Sequence, residues 1–161
     1  RERPGRARPL QITILRYAVT RHYPDRPIVG VLGVVRRDGR VLLVQRARPP
    51  NVGKWGFPGG VQELGETIFE AVVRELEEET SLVVEPIETL TALDVVEHDG
   101  EGRVHTHYAL IAVLADWRSG EVNIDDEAHD FGWFTVAEVE ARALPTLPSA
   151  TRIMGLALAL T

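Results

Sequence analysis

Residues 60–82 read GVQELGETIFEAVVRELEEETSL. Seven glutamates against the single Arg74 leave this segment at −6, the net charge of the whole 161-residue chain, so the rest balances to zero. Acidity confined in this way needs a local cause. The stretch from Ile68 to Glu79 has no Pro or Gly and is rich in Glu, Leu and Ala, which favours a helix. Thr67 followed three residues later by Glu70 reads as a capping box that starts it. At about 100° per residue, Ile68, Phe69, Val72, Val73 and Leu76 form one apolar stripe for a core, while Glu70, Arg74 and Glu77 fall on the opposite, solvated side.

Glu75 and Glu79 break that division. They project on the edge of the apolar stripe, with Glu78 one step around. Side chains three and four apart have Cβ atoms roughly 5–6 Å from each other, so three carboxylates can converge on one volume. Like charges so placed repel, more strongly where water is partly excluded. A hard divalent cation reverses the sign of that interaction, and an all-oxygen set suits Mg²⁺ or Mn²⁺ rather than zinc. One to three such ions are expected. A solvated acidic face is the plain alternative; the angular position of Glu75 and Glu79 argues against it.

The pattern Gly60-x5-Glu66-x7-Arg74-Glu75-Leu76-x-Glu78-Glu79-x-x-Leu82 resembles the signature of the Nudix hydrolase family, and the approach Trp55-Gly56-Phe57-Pro58-Gly59-Gly60 resembles that family as well. The similarity extends from about Ile28 to Phe134. One position departs: the family pattern has Gly where this chain has Ser81, and a serine in a left-handed helix-ending conformation costs about 1 kcal/mol more than glycine. The resemblance implies an α/β/α sandwich and hydrolysis of a nucleoside diphosphate linked to another moiety, giving a nucleotide and the phosphorylated moiety. It also implies a further carboxylate from outside the motif, for which Glu127 in Asp125-Asp126-Glu127 is the choice.

Roles follow for the site. Glu75 and Glu79 are the principal metal ligands, and Glu78 shares ligation or acts as general base. Backbone carbonyls of Gly59 and Gly60 are extra ligands, since glycine permits close approach. Arg74 fixes a carboxylate by pairing with Glu78 or Glu66. Arg46 and Arg48 border a Gly- and Pro-rich loop and could contact phosphates, with a solvated loop as the alternative. Trp55, with Phe57 and Tyr108, could stack on a base, although core packing is the commoner role for any one of them, and Trp133 and Phe134 read as core. His105 and His107 share a strand face without a third ligand for zinc.

Outward from the acidic helix, the chain reads as a flexible basic tail over residues 1–10 and one domain over 11–161. Ile12 to Val19 suggests an edge strand or an arm crossing to a second copy, hence a possible homodimer. Ile28 to Val35 and Val41 to Gln45 flank Asp38-Gly39, a hairpin signal. Ala47 to Phe57 is expected as loop and 58–60 as turn. Leu82 to Glu97 is β-rich and broken at Pro86, Val104 to Leu114 is a strand, Asp116 to His129 a polar loop, and Phe131 to Phe134 a short strand. Thr135-x-x-Glu138 opens a helix to about Ala143, and a last helix runs from Ser149 to Leu160. The class is α/β with a mixed sheet and helices on both faces.

The absence of cysteine excludes disulfides and thiol catalysis, including the isomerase chemistry that relatives of this scaffold perform with a cysteine. No run of 18 apolar residues is present and no signal-peptide pattern is read at the start, so a cytoplasmic place and no membrane partner are expected. Without a basic stripe beyond the first residues, charge argues against nucleic acid as a partner. No Walker-type loop exists. The resemblance puts ADP-ribose first among substrates and leaves dinucleoside polyphosphates, sugar nucleotides and oxidised nucleotides open. The downstream proline of the classical ADP-ribose pattern is His98 here. A non-catalytic nucleotide sensor is the runner-up, which could have lost the carboxylates this chain retains.

Overall fold

A computed structural model describes residues 21–161. The expected tail over 1–10 and the segment Ile12 to Val19 lie outside the described residues. Strand β1 (Ile28–Arg37) turns at Asp38 and Gly39 into β2 (Arg40–Arg46). Both turn residues have positive φ, 50° and 72°, as a two-residue turn matched to strand twist requires. Then follow β3 (Trp55–Gly56), β4 (Gly59–Val61), α1 (Ile68–Thr80), β5 (Val83–His98), β6 (Val104–Ser119), β7 (Ala128–Phe134), α2 (Val136–Ala141) and α3 (Ala150–Ala159).

The strands form one mixed sheet in the order β3-β2-β1-β6-β5, with β4 on β1 and β7 on β2. β1 runs parallel to β6 and antiparallel to β2. It pairs with β2 only at Arg36 and Arg37, and farther back the same edge takes β4 at Gly30, Val31 and Leu32. That parting lets the glycine turn lie on the central strand. One face of the sheet buries Val31, Val35, Leu42, Val113 and Ala115 against Ala71, Val72 and Leu76 of α1. The opposite face buries Val34, Leu43, Ala112 and Leu114 against Ile153, Met154 and Ala157 of α3 and Val139 of α2. Helices on both faces make the expected α/β/α sandwich.

Several expectations change. Pro86 does not break β5, because an edge strand needs no donor on its open side; a register shift between Pro86 and Glu88 absorbs it. The expected loop 116–129 shortens at both ends: Trp117 and Ser119 extend β6 by pairing with Val84 and Val83, and Ala128 joins β7. The loop and turn over 47–60 contain β3 and β4, strands too short to show periodicity. Phe69, expected in the core stripe, is 38% exposed. The buried sector of α1 is Ala71, Val72, Leu76 and Thr80, turned toward Glu75 and Glu79.

Candidate metal and diphosphate site

The site is built where α1 passes beneath β4. Thr67 accepts from the Glu70 amide while Glu70 accepts from the Thr67 amide, so the capping box fixes where the helix begins and which residues face the sheet. Leu76 anchors the helix by filling the space beside Gly33, where a Cβ would come within 2.7 Å of it. Glu75 and Glu79 flank Leu76 on the sheet side and are carried under the glycines.

A side chain on either glycine would meet occupied space. A Cβ on Gly60 would stand 2.4 Å from the Glu75 carboxyl carbon, and one on Gly59 would stand 2.0 Å from the Val31 carbonyl oxygen. The Gly59 amide donates to Glu79 Oε2 at 3.0 Å. The Gly60 carbonyl lies toward Gly30, 3.4 Å from where a Cβ there would stand.

Arg74 is a hub. Its guanidinium donates to Glu66 through two nitrogens, with Nη2 at 3.0 Å, to Glu75 Oε1 at 2.8 Å, to Glu78 Oε2 at 3.3 Å and to the Val61 carbonyl at 3.1 Å. It is therefore not the solvated residue that helical angle alone indicates: four partners draw it back over β4, and its side chain is 23% exposed. The paired Arg74, helped by the Glu63 amide, holds Glu66 down to about 2. Hydrogen bonding to Glu66 first, and then to Glu75, raises Arg74 further.

Burial pushes the Glu75 carboxyl up, with Arg74 opposing and Glu78 and Glu66 adding to the rise. Glu79 is pushed up to about 7, first by burial; the Gly59 amide opposes, while the carboxylates of Glu75, Asp125 and Glu127 push the same way. A half-buried carboxylate with one amide donor and neighbours of its own sign lacks positive charge. The donors are all oxygen, so a hard divalent cation fits.

Glu78 meets Glu75 at one nitrogen of Arg74, Nη1, but stands farther out than Glu75 and Glu79. Its side chain is 60% exposed and turned to Arg74. Among the described residues no three acidic or histidine side chains form a ready cage. Arg74 Nη1 draws Glu75 and Glu78 together; Glu75 and Glu79 are half-buried and Glu78 sits at the rim.

A second wall comes from residues 121–127. The Asn123 amide donates to the Thr80 carbonyl at 2.9 Å and the Asp125 amide to the Glu79 carbonyl at 3.3 Å, so the open end of α1 holds this loop. Glu127 thus falls near Glu79. Asp125 does too; its position two before Glu127 and its aspartate turn, accepting from the Glu127 amide at 2.9 Å, are the sequence signals that mark it. Arg48 pairs with Asp126 and, at 3.4 Å, with Glu127. Arg46 Nε instead donates to the Pro50 carbonyl within its own loop, at 3.2 Å.

Trp55 is corrected. It is 7% exposed and packs edge-on against Phe134, with ring centroids 5.5 Å apart, so it has no face free for a base. Phe57 is half-buried against the same cluster, and Tyr108 is half-buried on β6.

A NUDIX domain is recognised across residues 24–153, most of the chain. The chain belongs to the Nudix family. It is 35% identical over 108 residues to an ADP-ribose pyrophosphatase of Methanocaldococcus jannaschii, covering 67% of this chain and 62% of that protein. It is 33% identical over 133 residues to the NAD-capped RNA hydrolase NudC of Vibrio parahaemolyticus, covering 82% and 46%. The chain thus spans about half to three-fifths of the length of these curated relatives. Among solved structures, a MutT NUDIX hydrolase from Burkholderia pseudomallei matches with a TM-score of 0.70 and 30% identity, covering 82% of this Nudix chain and 98% of that one.

Proposed function

We propose that this protein hydrolyses the diphosphate bond of a nucleoside diphosphate derivative, with ADP-ribose the leading substrate and Mg²⁺ or Mn²⁺ as cofactor. The observation that carries the reading is Glu79: half-buried, starved of positive charge, fixed by the Gly59 amide and set beside Glu75. Glu75 and Glu79 would hold the cation, with Glu78 at its rim and the Gly59 and Gly60 carbonyls within the same neighbourhood. When bound, the cation would neutralise the diphosphate and lower the pKa of a water.

The chain's own groups supply the rest. Arg74 orients Glu75 and locks Glu66, so the ligand carboxylate has one rotamer. The bare glycine strand lets a diphosphate approach the backbone. Glu78, Glu127 or Asp125 would accept a proton from the attacking water, and Arg48 would meet the diphosphate. Water adds to one phosphorus, the bridging P–O bond breaks, and the bridging oxygen leaves with the other phosphate. ADP-ribose would give AMP and ribose 5-phosphate. The name of the M. jannaschii relative supports that substrate, and the NudC relatives add NAD and NAD-capped RNA ends to those worth assaying.

A panel of ADP-ribose, NAD, dinucleoside polyphosphates, sugar nucleotides and oxidised nucleoside triphosphates, each with Mg²⁺ and Mn²⁺, tests the reading. Turnover should be highest with ADP-ribose, and Glu79→Gln should lower it by about 100-fold or more, beyond what groups supporting a ligand contribute. Turnover in that variant near wild type would end the assignment. Tight nucleotide binding with no hydrolysis would favour the sensor. A homodimer and a cytoplasmic location belong to the same proposal; light scattering of the full chain reads the first.

A further inference from the structure

We infer that Arg48 is a positioning residue: it holds Glu127 on the loop until a diphosphate takes its guanidinium, so that substrate binding releases Glu127 toward Glu75 and Glu79. This rests on the hydrolase reading above and adds an order of events to it.

The two loops bordering the site are joined in register. The Ala47 amide donates to the Glu127 carbonyl at 2.9 Å, so the residue after it on one loop faces the acidic run on the other. Arg48 reaches Asp126 and, at 3.4 Å, Glu127. The other two arginines on this side are differently engaged. Arg74 is half-buried with four partners, and Arg46 is turned into its own loop.

Arg48 is 51% exposed, Asp126 80% and Glu127 49%. Water screens such pairs, so they are readily exchanged. A diphosphate offers the guanidinium a charge-assisted, bidentate partner of greater charge density than either carboxylate. Once Arg48 transfers, Glu127 keeps its backbone ties to Ala47 and Asp125 but loses its side-chain counter-ion, next to a site short of positive charge. The pair therefore acts as an exchange: one cation leaves the acidic loop for the substrate, and the freed carboxylate turns to the metal.

Mn²⁺ titration calorimetry on the full chain tests this without relying on turnover. Arg48→Ala should tighten Mn²⁺ binding about fivefold, by removing the ion that competes for Glu127. In a Glu127→Gln background the same substitution should change nothing. Arg48→Lys should stay near wild type, and Arg152→Ala, an equal change in net charge at an exposed position of α3, should leave Mn²⁺ affinity alone. With the non-hydrolysable α,β-methylene-ADP, Arg48→Ala should bind the nucleotide more weakly than wild type.

Unchanged Mn²⁺ affinity in Arg48→Ala overturns the inference, as does equal tightening with Glu127→Gln or with Arg152→Ala, which would mark a general field effect. Wild type failing to bind Mn²⁺ would overturn the hydrolase reading itself. Glu79-dependent binding that ignores Arg48 would overturn the exchange alone.

Discussion

The amide of Gly59 and Oε2 of Glu79 lie 3.0 Å apart, across twenty positions of sequence. That hydrogen bond ties the last turn of α1 to the strand laid over the centre of the sheet, and it fixes one carboxylate oxygen while leaving the other free. One amide does not offset burial beside Glu75, Asp125 and Glu127, so Glu79 holds its proton up to about 7.

The sign of the pH dependence follows. An ordinary glutamate titrates at 4.5, and in the folded protein this one titrates at about 7. The folded state therefore binds more protons between those values, and Glu79's contribution to stability is full below 4.5 and lost as pH rises through 7. In EDTA, wild type should lose up to about 3 kcal/mol relative to Glu79→Gln between pH 4.5 and 7.5. Urea unfolding of both proteins measures it. Parallel pH profiles would show that Glu79 is not proton-loaded, and millimolar Mg²⁺ should flatten the wild-type profile by binding the folded state.

The two glycines should fail differently when replaced. In Gly60→Ala the new methyl meets a carboxylate, 2.4 Å away, which can swing aside. The protein should fold with close to wild-type stability but bind Mn²⁺ at least about tenfold more weakly, because Glu75 is displaced. In Gly59→Ala the methyl meets the Val31 carbonyl at 2.0 Å, backbone of the central strand. That variant should lose about 3 kcal/mol or more, or fail to fold. Chemical denaturation beside calorimetry separates the two, and equal destabilisation by both would refute the distinction.

Ser81 ends α1 at φ 60° and ψ 17°, and its amide donates to the Glu77 carbonyl. This is the left-handed conformation that glycine adopts without strain. Ser81→Gly should stabilise the chain by about 0.5–1 kcal/mol in thermal or urea unfolding, with catalytic parameters unchanged, since the side chain is exposed and outside the site. Destabilisation would mean that the entropy glycine adds to the unfolded chain outweighs the relieved strain.

Local signals were the most legible. The Thr67 and Thr135 capping boxes, the Asp38-Gly39 turn and the placement of Glu75 and Glu79 toward the sheet all follow from spacing within a few residues, and the structure shows each. What spacing could not give was set by partners distant in the chain. Arg74 reads as solvated on a helical wheel, and although spacing offers it Glu66 and Glu78, only the arrival of β4 gives it the Val61 carbonyl. Trp55 sits in a glycine-rich loop that reads as a binding surface, and only the arrival of Phe134 and the neighbouring cluster shows it to be core. Asp125 owes its place to the carbonyl of Glu79 at the end of α1, a backbone acceptor that no side-chain pattern announces.

Arg74→Lys separates geometry from charge. Lysine keeps the positive charge but has no planar fork, so it cannot serve Glu66, Glu75 and the Val61 carbonyl together. Glu75 then gains rotamers, and kcat/KM should fall about 10–100-fold even at saturating Mg²⁺. A second readout lies in acid. Glu66 is held at about 2 against an ordinary 4.5, chiefly by Arg74, so its contribution to stability is present above 4.5 and lost as pH falls through 2. Between those values wild type should outlast Arg74→Lys in acid unfolding by a margin that shrinks toward pH 2. Activity lost with no change in the acid limb would place Arg74's importance at Glu75 alone, whereas wild-type turnover in the lysine variant would show that charge, not the fork, is what the site requires.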